Sequence, residues 1–157
     1  MRTIYLIHVM LMFMSCSSAS NSKQIKLIDE YVAFLNDNIS SLKLIQYEGE
    51  HTNELNERSG YFYELYYYQE TGKTKELVIK IFADNKNDIR IKKNYYLKDN
   101  QLCYFSEEKS GGEASDLNFS LKCYMKSGKI LYYTCENCKE DFDIKSYMEM
   151  KIKETKN

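Results

Sequence analysis

The chain has 157 residues and a formal net charge of −1, from 22 Lys and Arg against 23 Asp and Glu. Charges of both signs are interspersed without a basic patch, which argues against nucleic acid and anionic membrane surfaces as partners recognised by charge. With 15 Tyr, no Pro and no Trp, the composition favours β-sheet, and the length suits one domain with one core.

The chain begins with an apolar run, 4–14, which follows a single positive charge at Arg2 and precedes Ser15 and Cys16. This layout is typical of a secretory signal peptide, and the run is too short for a permanent membrane span. A small residue followed by cysteine resembles the lipobox of bacterial lipoproteins, in the looser form familiar from Bacteroidota. No domain family is recognised beyond this leader.

The lipobox resemblance implies three segments: a signal peptide over 1–15, a lipid-anchored tether over 16–22 and a single domain over 23–157. Fatty acyl chains such as palmitate would be attached at Cys16. They would anchor the protein in a membrane of the cell envelope, facing the periplasm. The alternative is ordinary cleavage near Ala19, which would give a soluble secreted protein.

An amphipathic helix is predicted after the tether, because apolar residues recur at spacings of three and four. They are Ile25, Ile28, Val32, Leu35 and Ile39. Asn21 or Ser22 can cap the start of this helix, and the Asn- and Ser-rich stretch 36–41 should end it. Residues 42–47 suit a short strand, and the polar stretch 48–59 is interpreted as a loop.

From Gly60 onward apolar residues alternate with period two, which predicts six strands. One apolar face is expected to carry Tyr61, Tyr63, Leu65, Tyr67, Leu77, Ile79, Ile81, Ile89, Ile91, Tyr95, Leu97, Leu102, Tyr104, Leu117, Phe119, Leu121, Met125, Ile130 and Tyr132. The separators are short and carry turn residues, such as Thr71-Gly72, Asp99-Asn100 and Ser127-Gly128. Short separators indicate antiparallel hairpins and therefore a β-meander.

A repeat with a period of 28 residues supports these hairpins. The segment 96–104, YLKDNQLCY, matches 124–132, YMKSGKILY, and 68–73 is a fainter copy. The last segment, 141–156, is interpreted as a helix, although a strand also fits part of it. The predicted fold class is therefore α+β: an N-terminal helix packed on a roughly six-stranded antiparallel β-meander, with a candidate C-terminal helix.

Four cysteines follow Cys16, and in an exported protein they invite disulfides. Cys135 and Cys138 can close locally and form the candidate disulfide. Cys103 and Cys123 are expected to point to opposite faces, with Cys103 opposite Tyr96 and Cys123 opposite Tyr132, so they should not pair. The Cys135–Cys138 spacing also resembles a thioredoxin-like redox motif, but no βαβ unit and no proline accompany it.

The best functional lead is aromatic. The sheet face opposite the apolar one is expected to carry Phe62, Tyr66, Tyr68, Phe82, Tyr96, Phe105, Tyr124 and Tyr133. Six of them, Phe62, Tyr66, Tyr68, Tyr96, Tyr124 and Tyr133, are interpreted as a candidate partner surface. The alternative is that a second layer, such as the C-terminal helix, covers these side chains.

No catalytic signature is found, and no cofactor or metal site is predicted. The sequence therefore predicts an exported, lipid-anchored, non-enzymatic interaction module of a bacterial cell envelope, such as an accessory subunit, inhibitor or immunity-type protein. It would contact the membrane through its anchor and bind a protein partner. The alternatives are a small exported thiol redox protein using Cys135 and Cys138, and a ligand carrier with a Tyr-lined cavity.

Overall fold

The computed structural model describes the backbone of residues 2–52, 58–68, 76–86, 89–111 and 118–156. Side chains are described for 20–50, 60–68, 76–84, 89–111 and 118–156. The elements are a helix, seven strands and a second helix: α1 Arg2–Asp37, β1 Lys43–Thr52, β2 Arg58–Tyr68, β3 Glu76–Lys86, β4 Ile89–Lys98, β5 Gln101–Ser110, β6 Phe119–Lys126, β7 Lys129–Glu136 and α2 Ile144–Glu154.

The seven strands form one sheet in the order of the sequence, β1 to β7, and each pairs antiparallel with its neighbours. The meander is therefore confirmed, but with seven strands rather than six. The seventh strand is β1, predicted above only as a short strand over 42–47; it pairs with β2 over ten residues and includes Glu48–Thr52, interpreted above as loop. An edge strand can keep polar side chains in solvent, so its composition gives only a weak strand signal.

Two hairpins turn where the sequence predicts. Asp99 and Asn100 have φ of 51° and 57°, and Ser127 and Gly128 have φ of 49° and 75°. Positive φ at both central residues defines a type I′ turn, whose twist matches that of the flanking strands. The Thr71-Gly72 turn lies outside the described residues.

Each of three hairpins contains a bulge, which the period-two pattern does not reveal. Tyr96 pairs with Tyr104 whereas Leu97 pairs with Leu102, so Cys103 is an extra residue on β5. Val78 and Leu131 are the extra residues on β3 and β7. An extra residue reverses the alternation of side chains beyond it.

The bulges correct the predicted apolar face. Leu102 packs in the same cluster as Leu97, whereas Tyr104 packs with the cluster on the opposite side of the sheet. In the same way, Leu77 packs in the cluster of Leu97, whereas Ile79 packs in the cluster of Tyr104. The predicted pairing of Cys103 with Tyr96 is also wrong, because the bulge places Tyr104 opposite Tyr96.

The helix α1 covers one face of the sheet, which we call the α1 face. Leu35 is fully buried there among Leu42, Tyr66, Val78, Ile79, Tyr96 and Cys103. Hydrogen bonds fix the helix on the strands: Tyr31 Oη donates to the Leu97 carbonyl at 2.7 Å, and Tyr96 Oη donates to Asn36 Oδ1 at 2.8 Å.

The helix α2 covers part of the opposite face, the α2 face. Met148 is buried there with Tyr95, Leu97, Leu102, Phe105, Leu121, Cys123 and Met125. Asp143 caps the helix by accepting from the backbone N–H groups of Lys145 and Ser146. The predicted C-terminal helix is therefore confirmed. However, the face predicted as the main core lies under α2, and α1 covers the face expected to need a second layer.

The helix α1 is also longer than predicted. It is continuous from Arg2, so Asn21 and Ser22 lie inside it and do not cap it, and 17–22 is helical. No Gly or Pro interrupts 2–37, and Ser or Asn in a helix costs only about 0.7 kcal/mol or less per residue relative to Ala. Within the described part of the chain, neither helix combines the length and hydrophobicity needed to cross a membrane.

Candidate functional site

The six aromatic residues of the candidate partner surface do not form one exposed surface. Tyr66 and Tyr96 are 9% and 7% exposed beneath α1, and Tyr68 packs against the same cluster. Tyr124 is half-buried, and its hydroxyl donates to Asp29 Oδ1 of α1 at 2.9 Å. The interpretation of these four as a partner surface is therefore wrong, because α1 occupies their face.

The two remaining aromatic residues of that set are exposed but lie apart. Phe62 is 39% exposed and Tyr133 is 43% exposed. Tyr133 lies opposite Cys123, which is buried on the α2 face, whereas Phe62 shares its strand face with Tyr66. No common surface joins them.

The cysteines separate into one disulfide and two buried thiols. Cys135 and Cys138 are joined, with their Cα atoms 5.8 Å apart, at the end of β7. Cys103 and Cys123 are free and lie on opposite faces. Cys123 pairs with Tyr133, one residue beyond the predicted Tyr132. The side chain of Cys16 lies outside the described ones.

The α2 face carries an open groove, because α2 packs mainly over β4 to β7, contacts β3 at Lys80 and leaves most of β1 to β3 uncovered. The groove has a volume of about 710 Å³. We call it the tyrosine groove, and it is lined by Tyr47, Tyr63, Leu65, Tyr67, Leu77, Lys80, Phe82, Lys93, Tyr95, Glu154, Thr155 and Lys156.

The strand register arranges this lining in rows across the sheet. One row runs through Tyr47, Tyr63, Phe82 and Lys93, each directly opposite the next. A second row runs through Leu65, Lys80 and Tyr95. Residues that are opposite one another on one face of a sheet are close enough to contact, so each row forms a continuous strip of side chains.

The aromatic rings of the groove pack on one another and on lysines. The ring centroids of Tyr63 and Phe82 are 4.9 Å apart. Lys80 Nζ lies 5.4 Å from the centroid of Tyr63, and Lys93 Nζ lies 5.0 Å from that of Phe82. These are cation–π distances, which fix the rings and hold the two ammonium groups at the floor of the groove.

One end of the groove is closed by polar groups of α2. Glu154 accepts from Lys151 Nζ at 2.8 Å and from the hydroxyl of Tyr95, and its backbone carbonyl accepts from Lys80 Nζ at 2.7 Å. Lys151 is 2% exposed. A second carboxylate, that of Glu107, is buried and accepts from the hydroxyl of Tyr147.

Burial dominates the pKa values in this region. Desolvation lowers the pKa of both the Lys80 and the Lys93 ammonium, because the charged form loses its hydration. Burial acts to raise the pKa of the Glu154 carboxyl, but hydrogen bonds from Lys151 and Tyr95 outweigh it, and the pKa is lowered. The groove therefore presents partly desolvated cations beside a carboxylate that is already paired.

The lysines of the groove were missed in the sequence. Lys80 and Lys93 each interrupt an apolar strand pattern, which is the one signal that marks them. Tyr47 lies in the short strand predicted at 42–47, but the residues around it do not indicate which strands pair with that strand. Among the described residues, no cluster of three or more His, Cys, Asp or Glu is arranged to hold a metal ion.

No protein-family model, no curated protein and no solved structure matches this chain.

Proposed function

We propose that this chain is an exported, lipid-anchored, non-enzymatic interaction module of a bacterial cell envelope, and that it binds a protein partner through the tyrosine groove. The observation that carries the proposal is the strip of aromatic side chains on β1 to β3 that lies beside α2, exposed at Tyr47 and half-buried at Tyr63 and Phe82. Tyrosine is enriched at protein interfaces because it buries a large area while keeping a hydroxyl for hydrogen bonding.

The open shape of the groove favours a partner over an enclosed ligand. A carrier site typically buries most of its ligand's surface. Here the far rim is formed by Tyr47, which is 55% exposed on the edge strand. A surface of this kind suits a segment of another protein lying across the strands.

The position of the disulfide supports a structural role for Cys135 and Cys138 over the redox alternative. A redox dithiol of the thioredoxin kind uses a helix N-terminus to lower the pKa of its first thiol. In this chain α2 begins at Ile144, beyond Cys138, and its N-terminus is capped by Asp143. The disulfide closes a turn after β7 and joins that strand to the connection with α2.

The export and anchoring part of the proposal is supported by the leader. The apolar run 4–14 and the small residue before Cys16 are features of lipoprotein precursors. An anchored module with balanced charge would meet its partner at the membrane surface through specific contacts and not through general attraction.

Site-specific photo-crosslinking in intact cells tests the proposal. A benzoylphenylalanine at Tyr47 should give an adduct of one discrete mass, because this side chain lies at the rim of the groove. The matched control is the same substitution at Tyr132, which is 49% exposed but lies on the α1 face opposite Tyr124. Equal adducts at both positions, or none at Tyr47, would contradict binding through the groove.

A further inference from the structure

The tyrosine groove has more positive than negative charge. Its floor and its α2 end carry Lys80, Lys93, Lys151 and Lys156, whereas the nearby carboxylates are Glu107, Glu154 and, two residues from Phe82 on the same face, Asp84. Lys151 pairs with Glu154, and the Glu107 carboxylate accepts from Tyr147. An occupant of opposite charge would therefore complement the groove.

Two of these cations, Lys80 and Lys93, lie near carboxylates but form no close ion pair with one in the described part of the chain. The charge of Glu154 acts on both, and that of Glu107 acts on Lys93. Lys80 Nζ is held by a backbone carbonyl, that of Glu154. Lys93 lies opposite Glu107 on the neighbouring strand, yet neither ammonium comes within 4 Å of a described carboxylate. Both ammonium groups are half-buried, so they have lost part of their hydration, and a carboxylate brought in by a partner would be stabilised beside them.

Desolvation supports the same conclusion. The pKa of each of these two ammonium groups is lowered by burial, which outweighs the opposing charge of Glu154 on both and of Glu107 on Lys93; the Lys151 charge lowers the pKa of Lys93 further. A bound carboxylate would favour the charged form of both.

The dimensions of the groove favour an extended peptide. Its rows cross from β1 to β4, which is three strand spacings of about 4.8 Å, or roughly 14 Å. An extended chain covers about 3.3 Å per residue, so about four residues span it. The half-buried rings of Tyr63 and Phe82 then offer apolar contact to the neighbours of a central acidic residue.

We infer that the tyrosine groove binds an acidic peptide segment of the partner, with one carboxylate on Lys80 and Lys93 and a flanking aromatic or large aliphatic side chain on Tyr63 and Phe82. The inference rests on the proposed function and adds the chemistry of the partner.

A matched pair of peptides tests the inference. The probes are N-acetylated, C-terminally amidated Leu-Phe-Glu-Phe and its isostere Leu-Phe-Gln-Phe, which differ only in the charge. Binding is measured by surface plasmon resonance on the full-length protein in nanodiscs, with empty nanodiscs as reference. The Glu peptide should bind at least about tenfold more tightly, a typical effect of one desolvated charge pair.

The lysines are then replaced singly by methionine, which keeps most of the stem and removes the charge. Lys93→Met should bring the affinity ratio of the two peptides close to one. Lys92→Met is the matched control, because Lys92 is exposed on the same strand and points to the other face; the ratio should be unchanged. Lys80→Met repeats the test at the second cation, with circular dichroism to check that each variant is folded.

Three results would overturn the inference: no binding of the Glu peptide, equal affinity for both peptides, or the same loss of the ratio in the Lys92 variant. If both peptides bind equally and Tyr63→Ser weakens both, the groove binds apolar segments, and the proposed function stands without its acidic specificity. The proposed function itself fails only through the crosslinking at Tyr47.

Discussion

At the scale of single residues, the two free cysteines show how one extra residue in a strand determines which face of the sheet a side chain occupies. Cys103 is the bulge residue on β5, so it turns toward α1 and donates through its thiol to the Tyr96 carbonyl at 3.2 Å. Cys123 is fully buried on the α2 face. Burial raises the pKa of the Cys103 thiol to about 11 and that of Cys123 to about 12.

These raised pKa values predict unreactive thiols in the folded protein. The thiolate is the reactive form, and a free cysteine has a pKa of about 8.5, so at pH 8 the buried thiols stay almost entirely protonated. We expect native protein to react slowly with Ellman's reagent at pH 8, and denatured, unreduced protein to show the two thiols of Cys103 and Cys123. Cys16 is blocked by acylation in the proposed anchored form. Rapid reaction of the native protein would show that these cysteines are accessible.

At the scale of elements, the bulges and the two helices decide which side chains are buried. The 28-residue repeat places Cys103 and Leu131 at equivalent positions, and both are the extra residue of their hairpin. The helix α1 then packs on the face that contains Tyr66 and Tyr96. Its outer side remains exposed, as Leu27 and Phe34 show with 49% and 53% exposure.

Two leucines of α1 give a direct test of this packing. Leu35 is 0% exposed, so Leu35→Ala should lower the free energy of unfolding by about 2–5 kcal/mol, because it leaves a cavity against the sheet. Leu27→Ala changes an exposed side chain of the same helix and should alter it by about 0.5 kcal/mol or less. Urea unfolding followed by circular dichroism measures both, and similar losses would contradict the packing of α1.

At the scale of the whole molecule, the sheet lies between two helices of unequal length, α1 on one face and α2 on the other. The helix α2 has 11 residues and covers only part of its face, and this difference in coverage creates the tyrosine groove. The proposed anchor at Cys16 precedes the part of α1 that packs on the sheet. Membrane attachment and the groove therefore belong to different parts of the molecule and can be tested separately.

The anchor is tested by Cys16→Ala. We expect the variant to move from the membrane to the soluble fraction, because two or three acyl chains at about 0.8 kcal/mol per buried CH₂ supply nearly all of the membrane affinity. Cell fractionation measures the change, and the control is the wild-type protein analysed by mass spectrometry. If wild-type protein carries no acyl chain, cleavage near Ala19 and soluble secretion replace the lipoprotein proposal.

The site was less predictable than the fold. The turns at Asp99-Asn100 and Ser127-Gly128 and the helix at 144–154 are marked by local residues, and they were found. The tyrosine groove joins Tyr47, Lys80 and Lys93 from three strands, and their common face depends on the bulge at Val78. A bulge depends on how two strands pair, so no pattern among neighbouring residues of one strand predicts it.

By itself, the sequence determined the elements and their order, because alternation, helical spacing and turn residues act over a few neighbouring positions. Short separators then left only antiparallel hairpins, and the meander followed. Only the tertiary structure decided which face each helix covers, because aromatic and apolar residues occupy both faces and either could be buried. It also decided that β1 completes the sheet and that a short α2 leaves the tyrosine groove open, since both depend on contacts between segments far apart in the chain.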